Sequence, residues 1–554
     1  MKPLLLGWLM LVSSPPQAEL RFTEMVDASG VTYRNISGDA EKRFIHGSLG
    51  SGAGLIDYDQ DGDLDVYFVN GAGLDGTRFV EAGPNRLYRN EGDWSFRDVT
   101  EQAGVGHTGW GVGCTVADYD NDGLSDLYVT NIGANVLFRN QGDGTFRNAT
   151  GQTGVGHPGW GTSSAFFDAD DDGNLDLYVA NYVDPDLTKL PLPGTGPTCR
   201  WFQLDVFCGP KGLIGATDVF YRNRGDGSFA DATREAGLFD SKGAYGLGVV
   251  TLDYDGDDDT DLYVANDSMP NFVFRNDGNG HFREVGLLSG AAYNASGSPE
   301  AGMGVDVADL DANGLPDIFV TNFANETNTL YSNEGNGIFL DLTSESSLEM
   351  ASLPLLGWAT RFVDLDNDGD DDLFVANGHV YPQIDAGEYR QRNQVFLNRG
   401  EKNFVEYAFA TGDALEKEAS SRGGAFGDID NDGDTDIVII NIDDIPSLLQ
   451  NETGDQGHWI ALQVVGTTSN RDGIGARIVL TTGNRRQAKE VHPSGSFLSS
   501  NDLRLYFGLG EFARADEIHI IWPHGDEQRI RGARAGQILL VVEGWEDTAR
   551  PLKP

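Results

Sequence analysis

Seven times along the chain, carboxylates crowd into nine residues on one template. DYDQDGDLD begins at Asp57, DYDNDGLSD at Asp118, DADDDGNLD at Asp168 and DYDGDDDTD at Asp253. DLDANGLPD begins at Asp309, DLDNDGDDD at Asp364 and DIDNDGDTD at Asp428. In a tight loop, alternate side chains point to one side, so oxygens at positions 1, 3 and 5 converge. Glycine at position 6 permits the sharp turn, position 7 offers its backbone carbonyl, and aspartate at position 9 closes the shell. Hard oxygen donors at this density, with no His or Cys among them, select Ca²⁺ over zinc or copper.

In the first loop the ligands are Asp57, Asp59, Asp61 and Asp65, with Asp63 at position 7. The second has Asp118, Asp120, Asp122 and Asp126, and the third Asp168, Asp170, Asp172 and Asp176. The fourth has Asp253, Asp255, Asp257 and Asp261, and the fifth Asp309, Asp311, Asn313 and Asp317. The sixth has Asp364, Asp366, Asp368 and Asp372, and the seventh Asp428, Asp430, Asp432 and Asp436. Two loops depart from the template, through Asp258 in place of the glycine and Asn313 in place of an aspartate. Those two sites are expected to be weaker or altered.

An EF-hand would need a bidentate Glu at position 12. The chain has Phe68, Val129, Val179, Val264, Val320, Val375 and Ile439 there instead, which are strand interiors. Thrombospondin-type arrays use similar loops, but with short spacing and many cysteines. A merely solvated acidic surface needs neither fixed spacing nor glycine.

The elements that must position these loops are strands. Each loop runs at once into an apolar segment ending in Asn, as in DVYFVN, DLYVTN and DIVIIN. A second signature follows, as in LYRNEGDWSFRDVT, and reads as strand, Gly-rich turn, strand. A Gly-rich apolar strand such as WGVGCTVAD precedes each loop, giving about four strands per unit and no helical periodicity. Seven such units predict an all-β fold, a seven-bladed β-propeller whose closure removes exposed sheet edges. The seventh unit lacks its outer strand after Asn451. RFTEMVDASGV, from Arg21, matches that missing strand, so the N-terminal strand is expected to complete the last blade.

The chain has 554 residues, 39 Lys+Arg against 86 Asp+Glu, a net charge of −47, and 73 glycines. Such a surface repels nucleic acid and anionic lipid. Seven calcium ions would bring the charge to −33 and contribute folding energy, since bare loops repel themselves. Residues 1–18 read as an export signal, with Lys2 before the apolar run Pro3–Val12, and no other apolar segment has spanning length. That implies a secreted or periplasmic protein. Cys199 and Cys208 suit a loop-closing disulfide in an oxidising compartment, whereas Cys114, in WGVGCTVAD, reads as a buried thiol.

The repeats resemble the FG-GAP/VCBS calcium-loop repeats of integrin α-chain propellers. HWIALQVVGTTSNRDGIGARIVL at His458, LRLYFGLG at Leu503 and IHIIWPHG at Ile518 resemble the ASPIC/UnbV domain of the cartilage acidic protein family and its bacterial relatives. The resemblance implies a secreted calcium-binding propeller over residues 19–455, a small β-sandwich-like domain over 456–545, and a tail over 546–554. Charge separates the two domains, because residues 456–545 carry nearly balanced acid and base. Trp522 in that segment reads as core.

His46, His107 and His157 each stand eleven residues before a loop, at the opposite end of the Gly-rich strand. Loops after the second strands return to that end with Asp184, Asp267, Glu326 and His379. This mouth cluster suits a transition metal or acid–base chemistry, as in a polysaccharide lyase or hydrolase. The competing explanation is repeat inheritance, since GVGHTGWG and GVGHPGWG are near copies. The leading expectation is a calcium-stabilised recognition or adhesion protein that binds a protein or glycan ligand at this mouth.

Overall fold

The computed structural model describes residues 20–400, 402–409, 412–453, 457–545 and 549–552. The expected export signal lies outside them. The fold is all-β. Among the described residues the repeat region forms seven four-stranded antiparallel sheets of the kind a β-propeller stacks. In chain order their first strands are Ala53–Ile56, Trp110–Ala117, Gly161–Phe167, Gly246–Leu252, Val305–Ala308, Gly357–Val363 and Ser421–Gly427. Each neighbouring pair of these strands is in contact, and Ser421–Gly427 also packs on Ala53–Ile56.

The second strands, such as Asp176–Asn181, are buried along nearly their whole length. Their apolar runs do not alternate because both faces of a sheet lie against neighbouring sheets. Val66 and Phe68 of the first sheet, for example, share one core with Val438 and Ile440 of the seventh. The N-terminal strand Phe22–Glu24 pairs antiparallel with Ser447–Asn451 and supplies the fourth strand of the seventh sheet.

The C-terminal module has two four-stranded sheets. One contains His458–Val465 between Leu505–Gly510 and a parallel partner, Ile538–Val542. The other contains Arg477–Thr482 between Arg485–Glu490 and Glu517–Ile521. Trp522 is buried in its core. This module lies against the acidic loops. Lys489 pairs with Asp371 at 2.7 Å, and the Asp472 carboxylate accepts the Asp118 amide at 2.7 Å.

From this module a finger, residues 493–502, packs among the first strands of the seven sheets and bonds to each of them. Ser500 bonds to Ala53 and Leu55, the Leu498 carbonyl accepts the Cys114 amide, and Ser163 Oγ accepts the Leu498 amide. The Gly495 amide donates to Val249, the Val305 amide to Ser496, the Arg361 guanidinium to Ser494, and the Asp502 amide to Phe426. Glycine within or just before the first strands makes room for it. A Cβ on Gly52 would lie 1.7 Å from the Leu498 carbonyl oxygen.

Candidate functional site

The acidic loops share one backbone. Positions 4 and 6 take the left-handed conformation in every loop, at φ 60° and 94° for Gln60 and Gly62 and 59° and 98° for Asn431 and Gly433. Asp258, the expected defect, adopts φ 68° itself and donates its amide to Asp253, so the fourth loop keeps the common turn. The position-1 carboxylate accepts the amide of position 6, as in Gly123 to Asp118 at 2.6 Å. The position-9 aspartate is the first residue of the second strand and accepts an amide from the third, as in Asn140 to Asp126 at 2.7 Å.

That third-strand asparagine has a role the sequence did not signal. Its side chain donates to the loop of the preceding sheet: Asn140 to Tyr58, Asn223 to Tyr119, Asn276 to Ala169 and Asn333 to Tyr254. Asn451 donates to Leu365, and Asn90 of the first sheet donates to Ile429 of the seventh.

In each of five loops the structure brings three of the carboxylates together. Asp57, Asp59 and Asp61 place oxygens within 4.8 Å of one another, as do Asp118, Asp120 and Asp122, and Asp168, Asp170 and Asp172. Asp253, Asp255 and Asp261, and Asp364, Asp366 and Asp372, do the same. Such clusters can hold a metal ion. The position-3 Oδ1 atoms of Asp59, Asp120, Asp255, Asp366 and Asp430 are buried without a hydrogen-bond partner. Buried oxygens left unpaired are costly, and a cation at the centre of the loop would satisfy them. Burial, reinforced by neighbouring carboxylates, pushes Asp65 and Asp126 up to about 9.

The fifth loop differs, because Lys402 contacts two of its ligand carboxylates. Its Nζ lies 2.9 Å from Asp311 and 2.9 Å from Asp317.

At the opposite end of the first strands lies a cavity of about 150 Å³, lined by Tyr182, Asp267, Phe323, Glu326, Trp358 and Tyr381 among others. Its roof is the insert between the second and third strands of the third sheet, closed by the Cys199–Cys208 disulfide. From it Trp201 packs on Phe323, His379 and Tyr381, and Phe207 packs on Tyr381 with ring centroids 4.9 Å apart. An insert of the third sheet thus reaches loops of the fifth and sixth. Tyr182 and Ser268 hydroxyls donate to Asp267, and the Ala301 amide donates to Glu326. Burial, with Glu300 and Asp267 adding to it, pushes Glu326 up to about 7.

None of the four mouth histidines lines this cavity. His46 is buried against Trp160, ring centroids 4.3 Å apart, and its Nε2 meets the Pro185 carbonyl. His379 is buried between Trp201 and Tyr381, and its Nδ1 accepts the Tyr381 amide. Burial lowers both, to about 4 and about 3, so both rings are neutral at pH 7. His107 and His157 are half-buried in the turns before their sheets, with their carbonyls accepting the Asn85 and Asn135 amides. Asp184 pairs with Lys189 at 2.8 Å. Cys114 is a buried free thiol. Among the described residues, no helix is long and apolar enough to cross a membrane.

Acidic loops at the start of every second strand, sheets stitched by third-strand asparagines and a C-terminal β-module define an FG-GAP-like repeat protein. The chain belongs to that family. The FG-GAP-like repeat model matches residues 57–129, 118–179, 253–320, 309–375 and 364–439, and the ASPIC and UnbV model matches 466–547. Cartilage acidic protein 1 of Homo sapiens is 28% identical over 348 residues, covering 60% of this chain and 49% of the relative. The Mus musculus protein is 29% identical over 330 residues, covering 57% and 48%. The chain therefore spans about half the length of these curated relatives. Among solved structures, a lectin of Agrocybe aegerita that recognises non-reducing terminal N-acetylglucosamine aligns with TM-score 0.37 and 16% identity, over 74% of this chain and 90% of the lectin. BBS1N, solved in complex with ARL6DN, aligns with TM-score 0.39 and 11% identity, over 76% and 94%.

Proposed function

We propose that the protein is an exported, calcium-binding recognition module, a closed seven-bladed propeller that holds a protein or glycan ligand at the mouth opposite its acidic loops. Closure is supported by the circular contacts of the first strands, by the Asn90 bond to Ile429 and by the exchanged N-terminal strand. Calcium is supported by the five orphaned position-3 oxygens. The loops would supply four or more hard oxygens each, and the ion would hold them against mutual repulsion. The C-terminal module covers the loop end and fills the centre of the ring, so a ligand would be met at the opposite end, beneath the insert.

The observation that carries the reading is the roofed cavity. Its aromatic walls suit the apolar face of a sugar ring or side chain, and Asp267 and Glu326 suit its hydroxyl or amine groups. At about 150 Å³ it is smaller than the few hundred Å³ of a drug-sized pocket, so it suits one sugar unit or one side chain. The test is saturation-transfer NMR of the full chain with a panel of mono- and disaccharides and short peptides. Binding of some member, abolished in Tyr381→Ala, supports the reading. Silence across the panel, or binding indifferent to Tyr381→Ala and Asp267→Asn, counts against it.

A further inference from the structure

The fifth acidic loop differs from the others in what occupies it. Lys402 belongs to the turn between Gln394–Asn398 and Phe404–Glu406 of the sixth sheet. In the N-x-G-x-x-x-F pattern of these turns its counterparts are Trp94, Gly144, Gly227, Gly280 and Gly337. The position is left-handed throughout, at φ 59° for Lys402 and 56° to 80° for the others. Glycine adopts that conformation freely, whereas a lysine there is held against its own backbone preference.

The side chain is almost fully buried, 7% exposed, and an ammonium has three protons to place. All three have acceptors: Asp311 Oδ2 at 2.9 Å, Asp317 Oδ1 at 2.9 Å and Ser332 Oγ at 2.7 Å. Asp311 and Asp317 are positions 3 and 9 of the loop, the two carboxylates that would bracket a bound ion. At the place of Ser332, the first three sheets carry Arg89, Arg139 and Arg222. These pair with the position-3 aspartates Asp59, Asp120 and Asp170 at 3.8, 2.7 and 3.5 Å. Among the described residues none of the three reaches a position-9 aspartate within ion-pair distance. Lys402 does, and it therefore sits deeper than the arginines.

One further difference points the same way. The loop has Asn313 at position 5, which removes one ligand charge.

We infer that Lys402 is a built-in counter-cation and that the fifth loop takes up no calcium, its ammonium balancing the carboxylates that an ion balances elsewhere. A divalent ion between Asp311 and Asp317 would meet the ammonium at close range and would find one ligand charge fewer, two effects that both weaken binding. The consequence is a ring in which one loop stays organised when calcium is withdrawn. The inference rests on the calcium reading of the other loops, and its test separates the two.

The test counts calcium retained by the full chain after equilibrium dialysis against micromolar Ca²⁺. Asp366→Asn, in the sixth loop, should lose one ion relative to wild type. Asp311→Asn should lose none, and Lys402→Met should gain one. Seven ions in the wild type, or one ion lost in Asp311→Asn, overturns the inference and leaves the calcium reading standing. No calcium in any variant overturns both. If Lys402→Met fails to fold, the contrast between Asp311→Asn and Asp366→Asn still decides.

Discussion

Phe497, on the finger of the C-terminal module, packs at a tilt against Trp358 of the sixth sheet with ring centroids 4.9 Å apart, and both rings are buried. Trp358 in turn lines the mouth cavity and carries the buried guanidinium of Arg422 over its ring, 4.1 Å from the ring centre. The module that covers the acidic loops therefore touches the far end of the molecule through one aromatic pair. Phe497→Ala should cost about 3–5 kcal/mol, the usual range for a buried phenylalanine. Denaturant unfolding, followed by tryptophan fluorescence and by circular dichroism, should show one cooperative transition in the wild type at higher denaturant than in the variant. Two separate transitions in the wild type would mean that the finger does not couple the modules.

Chelation addresses the loops. A ligand that binds only the folded state stabilises it by about 2.7 kcal/mol per site at one hundred times its dissociation constant. Several sites acting together make the effect large. Melting in excess chelator should fall well below melting in millimolar calcium, and magnesium should restore little of the loss, because it resists a flexible all-oxygen cage. Identical melting curves in chelator and calcium would leave the orphaned oxygens of Asp59, Asp120, Asp255, Asp366 and Asp430 unexplained and the calcium reading without support.

The repeats make the loops and strands legible because both signals are local. Asp–x–Asp–x–Asp–Gly and the apolar run behind it need no distant partner to be recognised, and the spare strand at Phe22–Glu24 could be matched by pattern alone. The finger is the opposite case. Residues 493–502, PSGSFLSSND, have the composition of a surface turn, and their burial comes from seven strands scattered over hundreds of residues. The histidines illustrate a third case. Equal spacing in successive repeats puts His46, His107 and His157 at equivalent chain positions. Their surroundings differ, because only His46 meets Trp160 while the other two stay half-buried in turns. Lys402 is visible as one lysine at a glycine position, but its meaning appears only once the turn is seen to abut the neighbouring loop.

The disulfide tests the roof. Cys199 and Cys208 close a short loop within the insert and cross-link no two sheets, so their loss should act locally. The double variant Cys199→Ser/Cys208→Ser should keep its melting temperature within a few degrees and its far-UV spectrum unchanged. Limited proteolysis should then cut faster within residues 193–215, and sugar or peptide signals from the mouth should weaken as Trp201 and Phe207 lose their seats on Tyr381. Unaltered proteolysis would mean that aromatic packing alone holds the roof.

Glu326 makes the mouth sensitive to pH. Its carboxyl stands at about 7 in the folded protein because burial disfavours the charged form, against an ordinary value of 4.5. Between pH 4.5 and 7 the folded state thus holds a proton that the unfolded state has released. Stability falls as pH rises through that window and levels off above it. Glu326→Gln keeps an acceptor for the Ala301 amide and removes the titration. The variant should match the wild type in melting temperature near pH 5 and exceed it near pH 8, with other carboxyls contributing equally to both curves. A constant difference across this range would show that Glu326 ionises in the folded protein as readily as in water. Binding carries the same signature with the opposite consequence. An amine-bearing ligand should bind wild type more tightly as pH rises from 6 to 8 and bind Glu326→Gln without that gain, whereas a neutral sugar should bind both with little pH dependence.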